Sequence, residues 1–182
     1  MLAGRYPELQ GKVALVTGAG RDLGIGAAIC RRLAREGCRV VVTDVPSTSA
    51  TASLSPAEAV SDDVDKVVAG IKAEGGAALG LACDVLAEGD IEAAVAASVE
   101  SFGSLDILVN NAGIGFLMSP LTETSADDWD KVLGVNLRGA FLATKHAARR
   151  MIEQASGGRI INIASQAAKS GFPFAAGYCS SK

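Results

Sequence analysis

The chain has 182 residues, 49% hydrophobic and 20% charged, and 17 basic against 20 acidic side chains leave a net charge of −3. That length suits one domain with a substantial core, and the composition excludes a disordered chain, a coiled coil and a collagen-like repeat. The mild acidity argues against nucleic acid or an anionic membrane as partner, and no apolar run approaches the ~18 residues of a membrane span.

Taken in order, residues 13–17 are a short, nearly continuous apolar run of strand type. They lead straight into Thr17-Gly18-Ala19-Gly20-Arg21-Asp22-Leu23-Gly24-Ile25-Gly26, and residues 27–35 are helical in pattern. A second strand, 40–43, ends on the acidic Asp44. Between Val45 and Pro56 six of twelve residues are Ser or Thr, the composition of a surface loop. Ser55-Pro56-Ala57-Glu58 then supplies an N-cap, a first-turn proline and a capping-box Glu. The helix it opens repeats apolar residues at Val60, Val64, Val67, Val68 and Ile71.

Residues 77–82 and 105–109 are further strands, with a helix over 88–102 between them. One long helix is expected over 126–153, capped by Ser125 and carrying Val132, Leu133, Leu137, Ala140 and Phe141 on one face. A last strand covers 160–163. Strand and helix alternating in this way predict an α/β fold, a single domain with a doubly wound parallel sheet. The four cysteines, Cys30, Cys38, Cys83 and Cys179, form no CxxC pair and there is one histidine, so no metal site is expected and a reducing cytoplasm is the plain reading.

Glycines after a first strand let the backbone turn tightly and approach a pyrophosphate, whose charge meets the free N–H groups of the following helix. Asp44 at the end of the second strand suits the hydroxyls of an adenosine ribose. It would repel a 2′-phosphate by about 4 kcal/mol at 4 Å and an effective dielectric of 20. NAD is therefore expected over NADP, with Arg21 as the residue that would favour the extra phosphate. Tyr178 and Lys182, four apart, share one face of a helix. A neighbouring ammonium stabilises phenolate and fits a tyrosine for proton transfer. Ser165 follows the last strand at its carboxyl end, where a hydroxyl can donate to a substrate carbonyl. Asn136 lies on the apolar stripe of the long helix, where its amide needs partners.

The glycine turn, Cys83-Asp84-Val85, Asn110-Asn111-Ala112-Gly113, Asn136, Ser165 and Tyr178-Cys179-Ser180-Ser181-Lys182 together resemble the short-chain dehydrogenase/reductase family. The similarity runs from about residue 11 to the end. It implies a Rossmann fold and hydride transfer between NAD(P) and a secondary alcohol or ketone, with Asn136, Ser165, Tyr178 and Lys182 as the catalytic set. Tyr178 would be the general acid/base, Lys182 would also hold the nicotinamide ribose, and Asn136 would bend its helix and anchor a water in a proton relay.

By the same resemblance the cofactor lies against Gly18, Gly20, Arg21, Leu23, Gly24 and Ile25 in the turn and Asp44 at the ribose. Asp84 meets the adenine amino group, Val85 packs on the ring, and Asn110, Ala112 and Gly113 wall the adenosine ribose. Polyols, diols or sugars are the favoured substrates. A 3-oxoacyl thioester reductase and a non-catalytic nucleotide-binding protein of the same fold are the alternatives. A small-molecule substrate and a homodimer or homotetramer are the expected partners.

One departure is plain. Five residues separate Gly18 from Gly24 where the family has three, so the turn is two residues longer. Family members also continue past this lysine through further strands and helices. The chain is therefore expected to be a C-terminally incomplete domain, weakly active or inactive alone.

Overall fold

The structure, a computed structural model, describes residues 6–46, 62–115 and 119–182. Most of the Ser/Thr-rich loop and the capping box at 55–58 with Val60 lie outside the described residues. Five parallel strands are β1 (Val13–Val16), β2 (Arg39–Asp44), β3 (Ala77–Ala82), β4 (Ile107–Asn110) and β5 (Arg159–Asn162). Their order is β3-β2-β1-β4-β5. The chain thus leaves β1 toward one edge through β2 and β3 and returns to its other side with β4. The ends of β1 and β4 thus form the switch point that such sheets use for ligands.

Alternation along the strands separates the two faces. Ala14, Val16, Val40 and Val42 pack with Ala27 and Cys30 of α1 (Ile25–Arg35) and Val67 and Ile71 of α2 (Asp62–Ala73). Leu15, Val41 and Leu108 point the other way, against Ile91 and Ala94 of α3 (Glu88–Phe102) and Leu142, Ala143 and Ala147 of α5 (Gly139–Glu153). A strand buried on both faces can be apolar at every position, as β1 is and as β4 is up to its last residue, Asn110. β5 departs from that expectation. It is an edge strand, and Ile161 is 46% exposed.

The helix expected over 126–153 is three pieces: α4 (Ala126–Leu133), a wide π turn at Gly134–Arg138, and α5. Ser125 caps α4 as expected, accepting from the Asp128 N–H at 3.0 Å. The π turn spends about one extra residue and shifts the helical phase. The buried stripe passes from Val132, Val135 and Asn136 to Gly139, Leu142 and Ala143, and Leu137 and Phe141, expected on the core face, are 53% and 61% exposed.

Opposite the switch point, Asp106 staples β1 to β4. Its carboxylate accepts from the Val13 N–H at 2.9 Å, Lys12 Nζ at 3.1 Å and Ser104 Oγ at 2.8 Å. Burial raises its pKa, but these donors outweigh burial and the net shift is downward from 3.8. A depressed carboxylate contributes stability above its unfolded pKa that is lost as pH falls through the folded value. Asp106→Ala is expected to cost about 2 kcal/mol at pH 7, since it strands a buried N–H. Urea unfolding at pH 7 and at pH 3 should show that gap narrowing with acid, and equal gaps at both would refute the assignment.

Candidate active site

The glycine turn is built across the switch point. Gly18 has φ +63°, and a Cβ there would sit 2.6 Å from Ala112 Cα, so only glycine lets the two loops touch. Thr17 Oγ1 accepts from the Asn111 and Ala112 N–H groups, each at 3.1 Å. The Asn111 amide donates to the Thr17 and Gly18 carbonyls at 2.9 and 2.7 Å. A Cβ on Gly26 would come within 2.6 Å of that amide nitrogen. Gly24 is the N-cap of α1 and supplies no side-chain cap bond, so the helix presents its first N–H groups unmasked. Asp44 spans the turn from the neighbouring strand, accepting from Gly20 N–H at 2.7 Å and Val45 N–H at 2.8 Å.

A cavity of about 450 Å³ lies over this turn. Gly18, Arg21, Leu23, Gly24 and Ile25 form one wall; Asp44, Asp84 and Val85 form another; Ala112 and Gly113 close it. These expected cofactor residues are thus brought together. Two are placed differently. Gly20 is not at the cavity surface and serves it through the bond to Asp44. Asn110, expected at the ribose wall, turns its amide to Thr144 Oγ1 at 3.0 Å and Asn162 Oδ1 at 2.8 Å. Successive residues at a strand end face opposite ways, so Asn111 takes the cavity side. Cys83 also lines the cavity, and burial, with Asp90, Asp84 and Asp44 adding to it, pushes its thiol up to about 12, so it stays protonated.

The proton-transfer candidates meet this cavity at Gly113. A Cβ there would lie 3.1 Å from Lys182 Nζ and 3.3 Å from Asn136 Oδ1. Lys182 donates to the Ile163 carbonyl at 3.3 Å and its ammonium sits 5.7 Å from the Tyr178 ring centroid. Tyr178, on α6 (Ala176–Ser181), packs against Gly115 and is 6.4 Å from Phe172 between ring centroids. Ser165 caps a short 3-10 turn, accepting from the Ala167 N–H at 3.1 Å, which leaves its own hydroxyl proton to donate elsewhere.

Asn136 sits in the π turn with its amide fully employed. It accepts from Ile114 N–H at 2.8 Å and donates to the Ile114 carbonyl at 2.9 Å and to Ser181 Oγ at 2.8 Å. Ser181 in turn donates to the Tyr178 carbonyl at 2.8 Å. Asn136 therefore ties the cavity wall at Ile114 to the helix that bears Tyr178 and is followed by Lys182. The sequence reading missed Thr17, Asn111 and Ser181. All three stand inside or beside motifs it quoted, and the strand-end alternation of Asn110 and Asn111 was the usable signal.

A parallel doubly wound sheet with a glycine turn at its switch point is a Rossmann-type fold. The family model for the short chain dehydrogenases matches residues 12–182. The D-threitol dehydrogenase of Mycolicibacterium smegmatis is 41% identical over 175 residues, which are 96% of this chain and 60% of that protein. A solved NAD+-bound xylitol dehydrogenase is 36% identical with a TM-score of 0.83, over 96% of this chain and 61% of that one. A metagenomic short-chain oxidoreductase in complex with NADP is 38% identical with a TM-score of 0.81, over 96% and 71%. The chain belongs to the short-chain dehydrogenase family. It spans about 60% of the length of the curated relatives it matches.

Proposed function

We propose that this chain carries the cofactor site and proton-transfer residues of an NAD(P)-dependent oxidoreductase that interconverts a secondary alcohol, of polyol or diol type, and its ketone. The observation that carries this reading is that Gly113, which closes the 450 Å³ cavity, lies beside the Lys182 ammonium, and that ammonium in turn lies near the Tyr178 ring. The left-handed Gly18 and the uncapped start of α1 fit a pyrophosphate, and the Asp44 carboxylate fits ribose hydroxyls. When bound, the nicotinamide supplies the hydride acceptor or donor. Tyr178 exchanges the proton with the substrate oxygen, Lys182 stabilises charge on the phenol, and Ser165 donates to the substrate oxygen. Asn136 holds the wall and the catalytic helix in register.

Asp44 and Asp84 on one cavity wall favour NAD over a 2′-phosphorylated cofactor. Asp44→Ala is expected to shift the ratio of NADPH to NADH affinity by about tenfold or more toward NADPH. A ratio unchanged within twofold in paired fluorescence titrations would remove Asp44 from cofactor selection.

The polyol class is supported by relatives named threitol, galactitol and sorbitol dehydrogenases. Exposed Leu137 and Phe141, one turn apart across the π turn and α5, support a homo-oligomer. The scattered cysteines support a reducing compartment such as the cytoplasm. Among the described residues no helix is long and apolar enough to cross a membrane. The deciding experiment is NAD+ reduction at 340 nm across threitol, xylitol, galactitol, butanediols and a 3-hydroxyacyl thioester, using the protein that carries this sequence. Turnover confined to the thioester would favour the acyl reductase reading. Tight NADH binding with no turnover on any alcohol would favour a non-catalytic nucleotide-binding protein.

A further inference from the structure

The lengthened glycine turn is held at Asp22 by a side chain from outside it. Arg31 lies in the second turn of α1, and helical side chains lean toward the N-terminus, so its guanidinium reaches back over the start of the helix. Nη1 donates to the Asp22 main-chain carbonyl at 2.7 Å, and Nη2 donates to the Asp22 carboxylate. A planar fork that grips the backbone and the side chain of one residue restrains that residue more than a point charge can. Within the turn, Gly24 N–H closes onto the Arg21 carbonyl at 2.8 Å.

Packing does not do this work. Leu23, the apolar residue after Asp22, is 97% exposed. Asp22 itself stands between Arg21 and Leu23, both on the cavity surface. The longer turn therefore brings a carboxylate next to the wall where, on the reading above, a pyrophosphate lies. Left unpaired it would repel that anion, and paired with Arg31 its charge is cancelled.

We propose that Arg31 is a positioning residue for the dinucleotide: by clamping Asp22 it sets the lengthened turn before the cofactor arrives and neutralises the carboxylate that turn carries. This rests on the cofactor reading of the cavity, so the test includes a measurement that needs no cofactor. Amide hydrogen exchange over residues 20–26 is followed without nucleotide, and NADH affinity by fluorescence titration, in the wild type, R31M, R31K and R31M/D22N.

R31M is expected to exchange about tenfold faster in the turn and to bind NADH about tenfold more weakly. R31K, which keeps the charge and loses the fork, should lose about threefold in each. R31M/D22N should recover at least about threefold in affinity over R31M, because the unpaired charge is gone, a gain that a purely structural arginine would not produce. Either readout of R31M within twofold of wild type, or a double variant binding no more tightly than R31M, overturns the proposal. If R31M does not fold, R31K carries the same decision. If the wild type binds no NADH, the cofactor reading fails, while the exchange rates still uphold or sink the clamp.

Discussion

Tyr178→Phe is expected to lower turnover by about 10²–10⁴-fold, the range of a lost general acid/base, with NADH affinity within about twofold of wild type. The ring contacts survive the change. Gly115 still packs against the ring edge, Phe172 remains at its 6.4 Å centroid distance and the Lys182 ammonium still lies near the ring face. What disappears is the hydroxyl that, on the proposed reading, exchanges a proton with the substrate oxygen. The discriminating pattern is a fall in kcat with little change in cofactor Kd, because an interaction used only in the transition state leaves ground-state binding alone. Turnover within tenfold of wild type would move the proton role to another group, Ser165 being the nearest in function.

Asn136→Leu keeps nearly the same volume and removes every polar contact of the amide. The Ile114 N–H and carbonyl and one bond of Ser181 lose their partner in a site where Asn136 is 6% exposed. Unmet buried groups cost about 1–3 kcal/mol each, so a total near 3 kcal/mol is expected after partial relaxation. For a chain of this size that is a fall of about 6–12 °C in Tm. The variant should also loosen α6, since Ser181 is the link between Asn136 and the Tyr178 carbonyl. Faster amide exchange in residues 176–181 than in β1 would show that link. A loss under 1 kcal/mol with α6 unchanged would mean that the π turn holds itself.

Local pattern carried the strands and most of the cavity wall. Runs such as 13–16 and 40–42 are apolar at successive positions because both faces of β1 and β2 are covered, and that is visible in any short window. The glycine turn, Asp44 and the four-residue spacing of Tyr178 and Lys182 are local in the same sense. The π turn was beyond such a reading. A periodicity of 3.6 runs smoothly through Leu137 and Phe141, and only the demand of Asn136 for Ile114 and Ser181, 22 and 45 residues away, favours the wider turn.

Element order, the parallel sheet and the chemistry at the ends of β1 and β4 follow from side chains close together in the chain, whose preferences act before any long-range contact forms. Which of Asn110 and Asn111 faces the cavity and how Asp106 staples two strands were decided by tertiary packing. Those outcomes hang on partners such as Thr17 and Asn111, 94 residues apart, and Val13 and Asp106, 93 apart. A buried donor takes whichever acceptor the finished fold brings to it, and one-dimensional spacing does not contain that choice.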